Sequence, residues 1–523
     1  MEAHSNLGNA LTAIGEMEAA IAAYDIALQS RPVWSEAHYN KGCALRECGQ
    51  WQSAESAFRT ALRLKPDLAV AENNLGLVLM KQGCLEAALA AFRQAMQVMP
   101  ANASFHSNFV YALQFHPGYS DPAIAEEQRR WNRQFGDPLK QFILPHANDR
   151  NPDRRLRIGY VSPGFRAHVV GRYILPLFEC HDRERFEILC YSGVARPDRI
   201  TECFHALAGQ WRNTVGVPDA RLAEMIRADS VDILVDLTQH KEGNRLPMFA
   251  RKPAPAQVSF AGYPESTGLE AIEYRISDRY LEPGSANERA GRKERVYLID
   301  SFWCYVPPGF DVEVSPLPGL QTGTVTFGCL NNFCKVNERV LSLWARVLGK
   351  VADSRLVLLS PAGPHRRRAL EAFEREGVAA RRVEFVEHRP WREYLELYHR
   401  LDIVLDTLPY NGGVTTCDAL WMGVPVVSLA GETAVWRAGL SLLTNLGLPE
   451  LVAHSEEDYV RIAANLASDL PRLAKLRSTI RDRMENSVLM DAPRFARNVE
   501  AAYRSMWQTW CAGQSSACND SAS

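Results

Sequence analysis

Residues 411–423 read NGGVTTCDALWMG. Two glycines, two threonines and an aspartate stand where a strand pattern, DIVLDT, gives way to a helical one. Gly412 and Gly413 let the backbone come close to an anion, since nothing projects from their α-carbons. Thr415 and Thr416 add hydroxyl donors beside the free amides of a helix's first turn, an arrangement that favours phosphate. A carboxylate repels phosphate, so Asp418, about one turn into the helix, suits the hydroxyls of a sugar instead. A nucleoside diphosphate offers both groups at such a separation. The same residues also suit a plain helix start, with threonine as the cap and glycine in the turn. The run is neither GxGxxG nor a Walker A sequence, which weakens NAD and ATP as ligands.

The elements around this loop alternate between strand and helix. Buried-strand patterns occur at 155–165, 186–193, 231–237 and 256–264, and EYRISDRYL and ERVYLI carry the block to about 304. A second block has strands at 325–331, 354–360, 382–388, 402–407 and 424–429, and the chain is helical from about 455. Between the blocks, VPPGFDVEVSPLPGLQTG (306–323) reads as a linker. Two such blocks predict two Rossmann-like lobes with ligands at the carboxyl ends of their strands.

The first hundred residues repeat with a period of 34. Gly8, Gly42 and Gly76 align, as do Tyr24, Phe58 and Phe92, and Pro32, Pro66 and Pro100. Each unit reads as helix, turn, helix. Small residues let the two helices approach, and the aromatic is expected to fill the space between units. Asn6, Asn40, Asn74 and Asn108 share the register. An asparagine offers both a donor and an acceptor to an extended peptide, and it can equally serve the packing of the helix pair. The expected domains are repeats at 1–115, a linking helix and polar linker at 116–154, lobes at 155–305 and 324–523, and the interlobe linker at 306–323.

With 59 basic and 61 acidic residues the net charge is −2, which gives no electrostatic argument for nucleic acid or an anionic membrane. No apolar run reaches the roughly 18 residues of a membrane span, and the N-terminus has no basic start before an apolar core. The 12 cysteines are scattered, without zinc spacing. A cytoplasmic protein with reduced thiols and no metal is expected.

The repeats, together with RLRIGYVSPGF, ILVDLTQHKEGNR, RKPAPAQVSFAGYPESTG, SFWCY, FGCLNNFCKVNE and LPYNGGVTTCDALWMGVPVVSL, resemble the protein O-GlcNAc transferase family. Its members carry tetratricopeptide repeats ahead of an inverting glycosyltransferase of the GT-B fold, and this sequence looks like a compact bacterial one. The resemblance covers nearly the whole chain. It implies UDP-GlcNAc as donor, no metal, and serine or threonine hydroxyls of proteins as acceptors. Lys335 matches the lysine on the leaving diphosphate, and Asn332 stands where the family has a glutamine near the phosphates. His168 matches an active-site histidine, either general base or hydrogen-bonding group. His240, in a loop after a strand, is a second candidate, with a structural role equally open. Arg389 matches the segment that pairs with uracil through its backbone. Tyr394 stands where the family has a stacking histidine. Tyr410 replaces a cysteine beside the sugar, and Val414 a threonine in the phosphate loop. Gly262 and Pro264 are expected to shape the acceptor side. Alternatives within the family are protein O-fucosyl or N-glucosyl transfer. A repeat scaffold that no longer turns over is the alternative of another class.

Overall fold

The computed structural model describes residues 2–282 and 293–513. Contacts divide the chain into two compact units. One runs up to residue 118 and includes 330–349 and 356–388; the other takes 119–329, 350–355 and 389 onward. The division differs from the expected boundaries: residues 119–154 group with the lobes, and part of the second lobe groups with the repeats.

In the first unit three helix pairs follow one another: Glu2–Ile14 with Met17–Ser30, Ser35–Glu47 with Trp51–Leu64, and Ala69–Lys81 with Leu85–Val98, before the Ala103–Leu113 helix. Each pair turns on a glycine in the left-handed region, Gly15, Gly49 and Gly83, with φ of 93°, 70° and 71°. A β-carbon on Gly8, Gly42 or Gly76 would lie 2.6–2.7 Å from the ring of Tyr24, Phe58 or Phe92. The aromatic therefore closes the gap between the two helices of its own unit, and Tyr24 also shares a buried cluster with Ala44 of the next unit. Gly42→Ala should open this repeat. Alanine's helical advantage of about 1 kcal/mol is outweighed by overpacking of about 1–3 kcal/mol against a ring with nowhere to move. Faster amide exchange in the 35–64 helices measures it.

The second unit holds a seven-stranded parallel sheet: β1 (Leu156–Ser162), β2 (Phe186–Ser192), β3 (Gln210–Asn213), β4 (Ile233–Asp236), β5 (Ala256–Ser259), β6 (Tyr274–Asp278) and β7 (Arg295–Ile299). Its order is β3-β2-β1-β4-β5-β6-β7. Ile158 pairs with Ile188 on one side and with Ile233 on the other. The order reverses between β1 and β4, so a crevice is expected at their carboxyl ends. Strand β3 had no signal in the sequence, because QWRN is an incompletely buried edge.

The second unit also has the parallel strands β8 (Thr326–Cys329), β11 (Ile403–Leu405), β12 (Val426–Leu429) and β13 (Val452–Ala453), and the first unit has the parallel pair β9 (Arg355–Leu359, from residue 356 on) and β10 (Val383–Val386). Strand β11 pairs with β8 and β12.

Both expected linkers are tied down. Arg154 holds Asp232 with bonds of 2.6 and 2.8 Å, and Trp507 donates its indole N–H to the Asn151 carbonyl at 3.1 Å. Arg477, buried, donates to the Ser315 carbonyl at 2.7 Å, and the Gly319 amide to Asp402 at 2.7 Å. A polar sequence reads as a linker, yet these backbone groups find fixed partners. Among the described residues no helix is long and apolar enough to cross a membrane.

Candidate functional site

The loop between β11 and the Val414–Trp421 helix is built around Asp406, which is 1% exposed. One carboxylate oxygen accepts the amides of Thr407 at 2.9 Å and Gly412 at 2.7 Å; the other accepts the Ser428 hydroxyl at 2.7 Å. Thr407 donates to the Tyr410 carbonyl at 2.7 Å and Asn411 to the Thr407 carbonyl at 2.7 Å, so the turn is closed by its own side chains. Gly413 is the residue before the helix, and no side chain caps that end. A β-carbon on Gly413 would meet the Trp303 ring at 2.6 Å. Glycine is thus required by a wall of indole against the loop. Thr416 is buried and Thr415 half-buried.

Asp418, on the same helix, is 1% exposed. Its Oδ1 accepts the Tyr305 hydroxyl at 2.9 Å; its Oδ2, also buried, has no hydrogen-bond partner among the described residues. Burial pushes the carboxyl up to about 6, against the opposing pull of the Arg172 guanidinium and the Tyr305 and Tyr394 hydroxyls. A buried acceptor left without a donor costs stability, which makes Oδ2 a candidate ligand-facing group.

Arg172 stacks over the Trp391 ring with its guanidinium carbon 4.5 Å from the centroid. Tyr398 donates to the Thr415 carbonyl at 3.1 Å, and its hydroxyl lies 2.9 Å from that of Tyr394. The expected base-stacking Tyr394 is half-buried, and its hydroxyl reaches the helix start through Tyr398. Arg389 is exposed, ahead of the Trp391–Glu396 helix, and Tyr410 is half-buried.

At the carboxyl ends of β1 and β4 lie the two histidine loops. His168 is exposed at the start of the Val169–Cys180 helix, and its Nδ1 accepts the Val170 amide at 3.2 Å. A neutral imidazole has one donor and one acceptor nitrogen. With the Nδ1 lone pair engaged, the proton is assigned to Nε2, which suits a hydrogen-bond donor better than a general base. His240 is fully buried, with Nε2 2.8 Å from the Thr267 carbonyl and its ring edge-on to Trp131 at 5.5 Å. The position after a strand suggested a catalytic candidate; the fold encloses it. Gln239 accepts the Tyr263 amide at 2.6 Å, and Lys241 donates to the Gly262 carbonyl at 2.9 Å. Three consecutive residues therefore hold the 262–268 loop, and a β-carbon on Gly262 would collide with Gln239 Oε1 at 2.3 Å.

In the first unit Lys335 ends the Phe333–Lys335 turn, and its ammonium donates to Asn331 Oδ1 at 3.4 Å. A β-carbon on Gly83 would stand 2.9 Å from the Val336 carbonyl and 3.2 Å from that of Phe333, so the third repeat's turn backs directly onto the lysine turn. Asn332 is exposed. The four in-register asparagines do not form one ladder. Asn40 donates to Asn9 at 3.0 Å, Asn74 accepts from Arg46 at 3.2 Å and donates to Tyr39 at 3.2 Å, and buried Asn108 donates to Asn73 at 2.8 Å. Asn6 is exposed.

Asp406, Trp303, Tyr305, Arg172 and Trp391 were not singled out in the sequence. Asp406 had a signal in its place at the end of a strand. Arg172 had none, because it comes from a helix more than two hundred residues earlier.

The family model of glycosyl transferase family 41 matches residues 138–304 and 312–499, and tetratricopeptide models match 3–32 and 39–102. The chain belongs to glycosyltransferase family 41. Among its relatives, a Petunia hybrida protein named probable UDP-N-acetylglucosamine–peptide N-acetylglucosaminyltransferase SPINDLY is 39% identical over 78% of this chain. An Arabidopsis thaliana protein of the same enzyme name, SEC, is 30% identical over 69%. The chain spans less than half the length of these two relatives, 44% and 38%. A solved structure of a lysine-to-methionine variant of the Thermobaculum terrenum O-GlcNAc transferase superposes with a TM-score of 0.92 at 36% identity, covering 98% of both chains. The architecture of this family 41 chain is accordingly a tetratricopeptide solenoid followed by a two-lobed GT-B fold.

Proposed function

We propose that this chain transfers N-acetylglucosamine from UDP-GlcNAc to serine or threonine hydroxyls of proteins. The observation that carries the reading is the buried Asp418 Oδ2, unpartnered, one turn behind a Gly-Gly-Val-Thr-Thr helix start in a family 41 chain. The helix start takes the diphosphate through its first-turn amides and the Thr415 and Thr416 hydroxyls. Asp418 takes hydroxyls of the nucleotide, and the Arg389 and Tyr394 segment takes the base. Lys335 stabilises the charge that develops on the departing diphosphate, a task that needs a fixed cation. The acceptor oxygen attacks the anomeric carbon from the face opposite UDP, so configuration inverts in one displacement. His168, with its proton on Nε2, donates a hydrogen bond to sugar or acceptor. His240 positions the 262–268 loop from behind. The acceptor peptide runs along the repeats, where Asn6 is exposed to it and Asn40, Asn74 and Asn108, whose amides bond neighbouring helices, brace the groove.

The test is transfer to serine- and threonine-containing peptides in EDTA, with UDP-GlcNAc, UDP-glucose and GDP-fucose compared and the anomeric configuration of the product read by NMR. The reading expects β-linked GlcNAc from the α-linked donor. Transfer from GDP-fucose alone, or retention of configuration, would overturn it.

A further inference from the structure

Asp418 can act on a ligand only if its carboxylate is held in one orientation. The side chain has two rotatable bonds, and a buried carboxylate with a single anchor is fixed by that anchor. Tyr305 supplies it. The Tyr305 amide donates to the Leu489 carbonyl at 2.7 Å, the ring packs against Trp421 with centroids 6.2 Å apart, and the hydroxyl reaches Oδ1 at 2.9 Å. Backbone and ring are thus held independently of the hydroxyl, which leaves the hydroxyl free to do one thing. Tyr305 is the partner of Oδ1, while Oδ2 stays buried without a hydrogen-bond partner among the described residues, the Tyr394 hydroxyl facing the carboxylate as well.

We propose that Tyr305 is a positioning residue of the donor site: by occupying Oδ1 it turns Oδ2 of Asp418 toward the ribose hydroxyls of the bound nucleotide. This rests on the donor-site reading above. Tyr305 touches no substrate and acts only through Asp418. Its hydroxyl also favours the charged carboxylate. The groups facing that carboxylate are Arg172, Tyr305 and Tyr394, with Tyr398 and Cys417 nearby; of these, Arg172 and the Tyr305 and Tyr394 hydroxyls hold the pKa down against burial.

The test uses the full chain and Tyr305→Phe, which keeps the ring, titrated calorimetrically with UDP and with 2′,3′-dideoxy-UDP. Wild type should prefer UDP. In Y305F, UDP affinity should fall about tenfold, as for loss of a hydrogen bond to a charged group, while dideoxy-UDP affinity is unchanged. The pH at which UDP affinity falls off on the acid side should move up. In an Asp418→Asn background, Y305F should change nothing further. Equal losses for both nucleotides, or a full Y305F effect in the D418N background, would make Tyr305 merely structural and overturn the proposal. Wild type that binds neither nucleotide would instead overturn the donor-site reading and this inference with it. Should Y305F not fold, the D418N comparison decides: unchanged preference for UDP over dideoxy-UDP in D418N overturns the proposal, and loss of that preference upholds it.

Discussion

Lys335→Ala is expected to lower kcat for transfer by roughly 10²–10³-fold, the usual cost of removing one preorganised charge stabiliser. The KM for the donor should change much less, because the helix start and Asp418 bind the ground state without the lysine. The structure explains why the side chain can be preorganised. It ends a short turn between buried Phe333, Cys334 and Val336. The turn is backed by Gly83, and the ammonium is steadied by Asn331. The lysine is only half-buried, at the end of a short turn, so alanine should leave the unfolding temperature within a degree or two of wild type. Initial rates with UDP-GlcNAc and a peptide acceptor measure the effect. A fall of less than threefold would remove Lys335 from the chemistry.

Asp418→Asn should separate binding from stability in opposite directions. The folded carboxyl titrates near 6 rather than at its ordinary 3.8, because burial penalises the charge. A carboxylate whose pKa is raised on folding costs stability above that raised value. The cost disappears as pH falls through about 6 toward 3.8. The shift corresponds to about 3 kcal/mol. Asparagine carries no charge, so at pH 7.5 the unfolding free energy should rise by about 1–3 kcal/mol, and the stability change between pH 6 and 4 should flatten. UDP affinity should fall by about 10–100-fold, for the loss of charged hydrogen bonds of about 1.5–3 kcal/mol. Chemical denaturation at several pH values, with titration on the same samples, measures both. A variant that lost stability and kept UDP would show Asp418 to be a structural residue.

The parts legible in the sequence are those set by local pattern. The period of 34 located the helix pairs, and apolar runs located nearly every strand of both sheets. The strand, turn and helix start around residues 402–421 were legible because strand, glycines and threonines are contiguous. What escaped was direction. The period placed four asparagines in register but could not tell that Asn40, Asn74 and Asn108 spend their amides on neighbouring helices. A histidine after a strand reads alike whether it is exposed at a helix start, as at His168, or buried against a loop, as at His240. The aromatic of each repeat was expected between units, and spacing along the chain did not show that it also fills the gap inside its own helix pair. Tyr305 and Arg172 complete the surroundings of Asp418 from more than a hundred residues away, and only the folded chain brings them there.

The most direct test of the donor site is calorimetric titration of the wild-type chain with UDP and GDP in the presence of EDTA. The account predicts one UDP per chain, bound without metal and at least tenfold more tightly than GDP. Binding of neither nucleotide, or tighter binding of GDP, would contradict it: the Gly-Gly-Val-Thr-Thr turn would then be no more than the start of a helix, or the site of a different donor.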